Sequence, residues 1–210
     1  MTPASEQALR ILRDPTLLQW YVIPLFVLVV YVYAVEVERG SWSKVLAGLA
    51  FYGMDWLNEI WNGLLLHLSG HSAAWTTPGG TAYLIFIGLT IEISLMFAIM
   101  GIVYAKLLPA DREMRILGVP NRWFIAVTFA VFCVLVEIVL NRAGMLVWEY
   151  RWWNVPHVWL IVLIGYLPFT VMGAWVHDMS SRTRQVATVL AIYGLDAAAI
   201  LVFGVALRWI

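Results

Sequence analysis

Five carboxylic acids lie inside stretches of the chain that are otherwise almost entirely apolar. They are Asp55, Glu59, Glu92, Glu137 and Asp196, and no Lys or Arg lies near the middle of any such stretch. Burying an isolated carboxylate is costly, so each acid is expected to be protonated, to bind a cation or to pair with a basic group. Because basic partners are absent, the chemistry open to these acids is proton transfer or cation binding.

The acids recur at helical spacings that place polar side chains on common helix faces. Spacings of three, four and seven residues bring side chains together on one side of a helix. The groups are Asp55 with Glu59 and Asn62, Glu137 with Asn141, and Tyr193 with Asp196. These stripes predict a polar cavity between helices, in which an acid would favour its neutral form and be able to donate a proton.

The elements that must position these acids are membrane-spanning helices. The 210 residues are 62% hydrophobic and only 12% charged, and several apolar runs reach the roughly 20 residues that a helix needs to cross a bilayer. The predicted spans are residues 17–36, 44–68, 81–108, 122–141, 156–176 and 186–208. The chain is therefore predicted to be all-α, a polytopic transmembrane helical bundle of about six spans forming one domain, residues 1–210. The second, third, fourth and sixth spans would enclose the cavity.

The stretch from Gly144 to Pro156 does not fit this pattern, because charged residues alternate there with Trp and Tyr. It is predicted to be an interfacial aromatic segment, with a re-entrant cap or a seventh span as alternatives. Aromatic and amide side chains are the candidates for contact with a hydrophobic substrate. The candidates are Asn62, Asn141, Tyr193, Trp56, Trp148 and Tyr166.

Two runs of sequence resemble a known family. The run FYGMDWLNEIWNGL at 51–64 is similar to the second span of the small integral-membrane terpene cyclases of fungal meroterpenoid and indole-diterpene pathways, and IGLTIEISLMFA at 87–98 is similar to their next span. The resemblance implies that Glu59 is one member of a catalytic acid pair. Asp196 corresponds to the other member by being an Asp in the last span. That family is described with seven spans, whereas six are predicted here.

The leading hypothesis is an intramembrane lyase or isomerase that cyclises or rearranges an isoprenoid-like substrate, with no metal or organic cofactor. Glu59 would donate the proton, and Asp55 with Asn62 would orient it. Asp196 with Tyr193 would serve as second acid or terminating base. The other polar residues, Glu92, Glu137 and Asn141, would complete the cavity wall.

The expected partners are a hydrophobic small molecule and the lipid bilayer, with self-association possible. A balance of 13 basic and 13 acidic residues leaves no basic face for nucleic acid. The protein is expected to be a multi-pass protein of a bacterial inner membrane.

Two other functions use the same carboxylates. A metal-dependent membrane oxidoreductase would add histidines as ligands, and His67 and His71 have a suitable i, i+4 spacing, with His157 and His177 also available. A proton- or cation-coupled transporter would use midplane acids as an ion pathway.

Overall fold

The computed structural model describes all 210 residues and is built almost entirely of helices. The helices are α1 (Pro3–Ile11), α2 (Val22–Glu38), α3 (Trp42–Ser69), α4 (Ile91–Leu107), α5 (Asn121–Arg142), α6 (Val155–Asp178) and α7 (Arg182–Ala206). The six longer helices, α2 to α7, each overlap one of the six predicted apolar stretches. The predicted all-α helical bundle is confirmed.

Three helices, α5, α6 and α7, are both long and apolar enough to cross a membrane. Helices α2 and α4 have 17 residues each, slightly fewer than the roughly 20 that a helix needs to cross a bilayer. Helix α3 has 28 residues but carries buried acids along its length. The chain is thus a membrane protein, and its longest helix, α3, carries two of the candidate acids.

Helix α3 is the centre of the bundle, with α4, α6 and α7 packed around it. Helices α3 and α4 approach closely where Gly48 faces Gly101. A methyl group built on Gly101 would lie 2.5 Å from the carbonyl oxygen of Gly48, which is closer than atoms pack in proteins. Small residues at such crossings let helix backbones touch, as is common in membrane bundles.

Replacing Gly101 by alanine is expected to push α3 and α4 apart and to lower the stability of the bundle by about 1–3 kcal/mol. Gly194 in α7 provides the matched control, because no atom lies within 4 Å of the position that its methyl group would take. Thermal unfolding in detergent should show a lower midpoint for Gly101→Ala and an unchanged or higher one for Gly194→Ala. Equal midpoints for the two variants would contradict the close crossing.

Two loops, 70–90 and 143–154, fold against each other over one end of the bundle and are here called the cap. They are joined by two short antiparallel strands, β1 (Trp75–Thr76) and, later in the chain, Val147–Trp148. In this pairing Trp75 lies directly opposite Trp148. Residues 144–154 do not form a helix that crosses the bundle, so the structure shows no seventh span there, and the interfacial position of this segment stays a prediction.

The predicted start of the third span at residue 81 is wrong, because residues 81–90 belong to the cap. Helix α4 begins only at Ile91, where the Thr90 side chain accepts a hydrogen bond from the Ile93 N–H at 3.1 Å. The preceding residues are apolar because protein buries them, with Leu84 and Leu89 fully enclosed. Their backbone groups are satisfied without a helix, for example by a 2.8 Å bond from the Ile85 N–H to the Leu89 carbonyl.

The opposite end of the bundle carries a small hairpin of two strands, β2 (Arg115–Ile116) and β3 (Val119–Pro120), between α4 and α5. The strand Val147–Trp148 is accordingly β4. Helix α6 is irregular, since residues Ile161–Tyr166 form a π-helical turn just before Pro168. Proline has no N–H to donate to the preceding turn, which favours such a bulge. The bulge lies beside three buried carboxylic acids, Asp55, Glu59 and Glu137.

Candidate functional site

Three of the five predicted acids converge on one cavity beneath the cap. Asp55 and Glu59 extend from α3 and Glu137 from α5, and each is buried. The cavity, here called the acid cavity, has a volume of about 40 Å³. The residues that line it include no Lys, Arg or His. A space of this size holds a few water molecules.

The cap holds two of the acids through the indole groups of paired tryptophans. The Trp75 ring N–H donates to Glu59 Oε1 at 2.8 Å, and the Trp148 ring N–H donates to Glu137 Oε1 at 3.0 Å. Because Trp75 and Trp148 are opposite each other in the β1–β4 ladder, one short strand pair positions both acids. Glu59 Oε2 is buried and has no hydrogen-bond partner. Asp55 Oδ2 is likewise buried without a partner, so two of the three cavity acids have an oxygen that is free to carry a proton.

Replacing Trp75 by phenylalanine is expected to lower the stability of the bundle by about 1 kcal/mol, the worth of one buried hydrogen bond. The phenyl ring keeps an aromatic wall but cannot hold Glu59 in place. Trp123→Phe is the matched control, because Trp123 is exposed on α5. Thermal unfolding in detergent should show a lower midpoint for Trp75→Phe, and equal midpoints for the two variants would contradict the role of this hydrogen bond.

Glu92 does not belong to this group, which corrects the prediction that it lines the same cavity. Because α4 begins at Ile91, Glu92 lies in its first turn and near one end of the bundle. Its carboxylate accepts hydrogen bonds from the Tyr21 hydroxyl, from Thr81 at 2.6 Å and from the Ala82 N–H at 2.7 Å. These bonds fasten the start of α2 and the cap to α4.

Asp196 and Tyr193 also lie outside the acid cavity, because α7 packs on a different side of α3. The Tyr193 hydroxyl donates to the Leu49 carbonyl at 3.1 Å. Asp196 faces Gly53, because a methyl group built on Gly53 would lie 3.6 Å from Asp196 Oδ2. Both Asp196 oxygens are buried without a partner. The sequence predicts that the last span, which is α7, forms one wall of the cavity. Helix α6 forms that wall instead, through Gly165, Tyr166 and Phe169.

Among the six predicted substrate-contact residues, only Tyr166 lines the acid cavity. Asn62 holds strand β1, donating to the Trp75 carbonyl at 2.7 Å and accepting from the Ala74 N–H at 2.8 Å. Asn141 donates to the Leu146 carbonyl at 3.0 Å. The Trp56 ring packs edge-on against Phe86, and Trp148 holds Glu137. Asn62, Asn141 and Trp56 contact the cap from the helices, and Trp148 belongs to it. None of these four side chains lines the cavity.

Four aromatic rings that the sequence did not single out as substrate contacts also line the cavity. The additional rings are Trp75, Trp153, Phe97 and Phe169. Trp75 and Trp153 stack with their centroids 5.4 Å apart, and Phe97 stacks on Tyr166 at 6.1 Å. Gly88 lies against this wall, since any side chain there would overlap the Trp75 ring. No local sequence signal distinguishes these rings from ordinary membrane aromatics, because folding of the cap brings them together.

The histidines do not join the acids. His67 stacks on Trp209, with centroids 4.7 Å apart, and His71 packs edge-on against Tyr150. His177 contacts Asp178 at the end of α6. No three His, Cys, Asp or Glu side chains come close enough together to form a metal site. The geometry therefore does not favour the oxidoreductase hypothesis.

Comparison with known proteins places the chain among membrane proteins. A protein of the archaeon Archaeoglobus fulgidus, named only as an uncharacterized protein, is 52% identical over 209 residues, covering 100% of this chain and 99% of the relative. A second protein of that organism is 49% identical over 51 residues, 24% of this chain and 91% of the relative. No solved structure matches. Over residues 2–205, the chain belongs to a family described as an uncharacterized membrane protein family.

Proposed function

We propose that this protein is an intramembrane enzyme that isomerises or cyclises a hydrophobic isoprenoid-like substrate by carboxylic-acid catalysis. The observation that supports this most is the convergence of Asp55, Glu59 and Glu137 on a cavity walled by aromatic rings. Neutral acids supply protons, and aromatic faces stabilise a developing cation. The absence of a basic side chain from the lining keeps the acids from being neutralised by ion pairing.

The reaction needs only the residues already described. The proton on Glu59 Oε2 would add to one carbon of an alkene, whose π electrons form the new C–H bond and leave a carbocation. A second alkene of the same molecule would close a ring by donating its π electrons to that cation. Loss of a neighbouring proton to Glu137 would restore an alkene, so substrate and product have the same atoms. Water filling the cavity would return the proton to Glu59.

The membrane setting follows from the same proposal. Helices α2 to α7 would all cross the bilayer, giving a multi-pass protein with the acid cavity buried beneath the cap. The relatives reported above come from an archaeon, so the bacterial inner membrane stays a prediction. A substrate dissolved in lipid would reach the cavity without passing through water.

The proposal is tested by incubating the purified protein in lipid nanodiscs made up in D₂O with geranylgeraniol, squalene or 2,3-oxidosqualene. Acid initiation at an alkene predicts an isomer of geranylgeraniol or squalene that carries solvent-derived deuterium at carbon. Opening of the epoxide of 2,3-oxidosqualene places the deuterium on an exchangeable hydroxyl, so the cyclised isomer itself is the readout for that substrate. Mass spectrometry of the extracted lipids measures both. Isomers of geranylgeraniol or squalene without deuterium at carbon, or no product from any of these polyenes, would contradict the proposal.

A second candidate is a proton pathway, favoured by the small volume of the acid cavity. About 40 Å³ accommodates water but not an isoprenoid in this conformation. Asp196 would then be a further site, since its unpartnered carboxyl lies on the neighbouring side of α3. Proteoliposomes containing a pH-sensitive dye would acidify under an imposed potential if the protein conducts protons. Vesicles that stay as tight as protein-free ones would exclude this function.

A further inference from the structure

Two further cavities lie in succession beside the acid cavity, between α4 and α5. The first, of about 30 Å³, shares Ile93, Glu137 and Tyr166 with the acid cavity. The second, of about 290 Å³, shares Ile93, Met96 and Leu140 with the first. The three spaces therefore form a row that begins at the acids and ends at the first turn of α4 and the last turn of α5.

The row follows a loosely packed seam of the bundle. Helix α4 packs along α3, and α5 packs along α6, whereas the backbones of α4 and α5 stay further apart. Flexible side chains lie in this seam, because Met96 and Met100 from α4 line the same space as Leu140 from α5. Methionine side chains change shape at little cost, so the middle space can widen without moving a helix.

We infer that the seam between α4 and α5 is the binding groove for the chain of a neutral, linear isoprenoid that enters sideways from the bilayer. This inference rests on the proposed function. The middle space is almost entirely apolar, with Glu137 as its single polar lining residue at the inner end. A hydrocarbon chain lying in it would present its inner end to Glu59 and Glu137.

The charges along the row determine which isoprenoid fits. No Lys, Arg or His lines any of the three cavities. The mouth instead carries the Glu92 carboxylate, which also accepts from the Tyr21 hydroxyl. A diphosphate head group would find no cation there and would be repelled by Glu92. The groove thus selects a hydrocarbon, alcohol or other uncharged head group over a prenyl diphosphate.

The test is photolabelling with a diazirine-bearing geranylgeraniol in nanodiscs, followed by mass spectrometry of the adducts. Wild-type protein should be labelled on the peptides that contain Met96, Cys133 and Leu140, where Cys133 lines the middle space. Excess geranylgeraniol should compete with the label, and geranylgeranyl diphosphate should not. Adducts spread over lipid-facing surfaces, or equal competition by the diphosphate, would overturn the inference.

Matched variants separate the groove from the chemistry. Met96→Trp should reduce labelling of the Cys133 peptide at least tenfold, whereas Val103→Trp, on the exposed part of α4, should leave it unchanged. Leu140→Trp blocks the groove from the opposite helix and replaces Met96→Trp if that variant does not fold. Full labelling in a folded Met96→Trp or Leu140→Trp protein would refute the groove. Glu59→Gln should keep wild-type labelling, because it removes the transferable proton and leaves the groove intact. Wild-type protein that is labelled in the groove but forms no product from any polyene would refute the proposed reaction and retain the groove.

Discussion

Replacing Glu59 by glutamine is expected to abolish measurable turnover, with a loss of at least about a hundredfold, because general acid catalysis contributes that much or more. Glutamine has nearly the same shape and accepts the same hydrogen bond from Trp75, which reaches Glu59 Oε1 at 2.8 Å. The amide nitrogen that replaces Oε2, however, has no proton acidic enough to initiate a carbocation. The expected result is an enzyme that folds and binds substrate but forms no product.

Glu38→Gln provides the matched control, since Glu38 is exposed at the end of α2 and distant from the acids. Turnover of a polyene, measured as deuterated product in nanodiscs, should match wild type in this control. Thermal unfolding of both variants should show intact bundles. A Glu59→Gln protein with turnover near the wild-type level would remove Glu59 from the mechanism and, with it, the proposed acid initiation.

Replacing Glu137 by glutamine is expected to lower turnover by about tenfold to a thousandfold, in the usual range for a lost general base. Glu137 and Glu59 line the same cavity, so Glu137 is placed to remove the final proton. The loss should be in kcat, and the variant should release more partly reacted or water-quenched product. The Trp148 hydrogen bond to the side-chain oxygen at 3.0 Å can persist in the amide.

The comparison with Asp196→Asn distinguishes geometry from resemblance. The resemblance to membrane terpene cyclases assigns the second acid to Asp196, whereas the structure places Glu137 in the acid cavity and Asp196 beside Gly53. We expect Asp196→Asn to keep turnover within about threefold of wild type, a change smaller than one hydrogen bond is worth. The reverse order of effects, with Asp196→Asn the more damaging, would show that α7 takes part in catalysis. Such a result would also support the assignment of Asp196 as second acid, which the resemblance implies, over that of Glu137.

The sequence by itself determined the helical membrane fold and all three acids that form the site, among five that it predicted. Apolar runs of spanning length are a local property, so α2 to α7 could be predicted from them, apart from the start of α4. The spacing of Asp55 and Glu59 is likewise local, because four residues make about one helical turn. The lack of basic residues near these acids needed no structure, since no Lys or Arg lies near the middle of a predicted span.

Only the tertiary structure decided which acids share a cavity and what surrounds them. An apolar run has the same sequence pattern whether lipid or protein buries it. The sequence therefore predicts a helix over residues 81–90 and places Glu92 inside a span. The cap depends on the pairing of Trp75 with Trp148, two positions far apart in the chain. Which side of α3 each neighbour occupies is also non-local, so the sequence could not show that α6 replaces α7 at the site. These are packing choices among distant segments, which no spacing along the chain encodes.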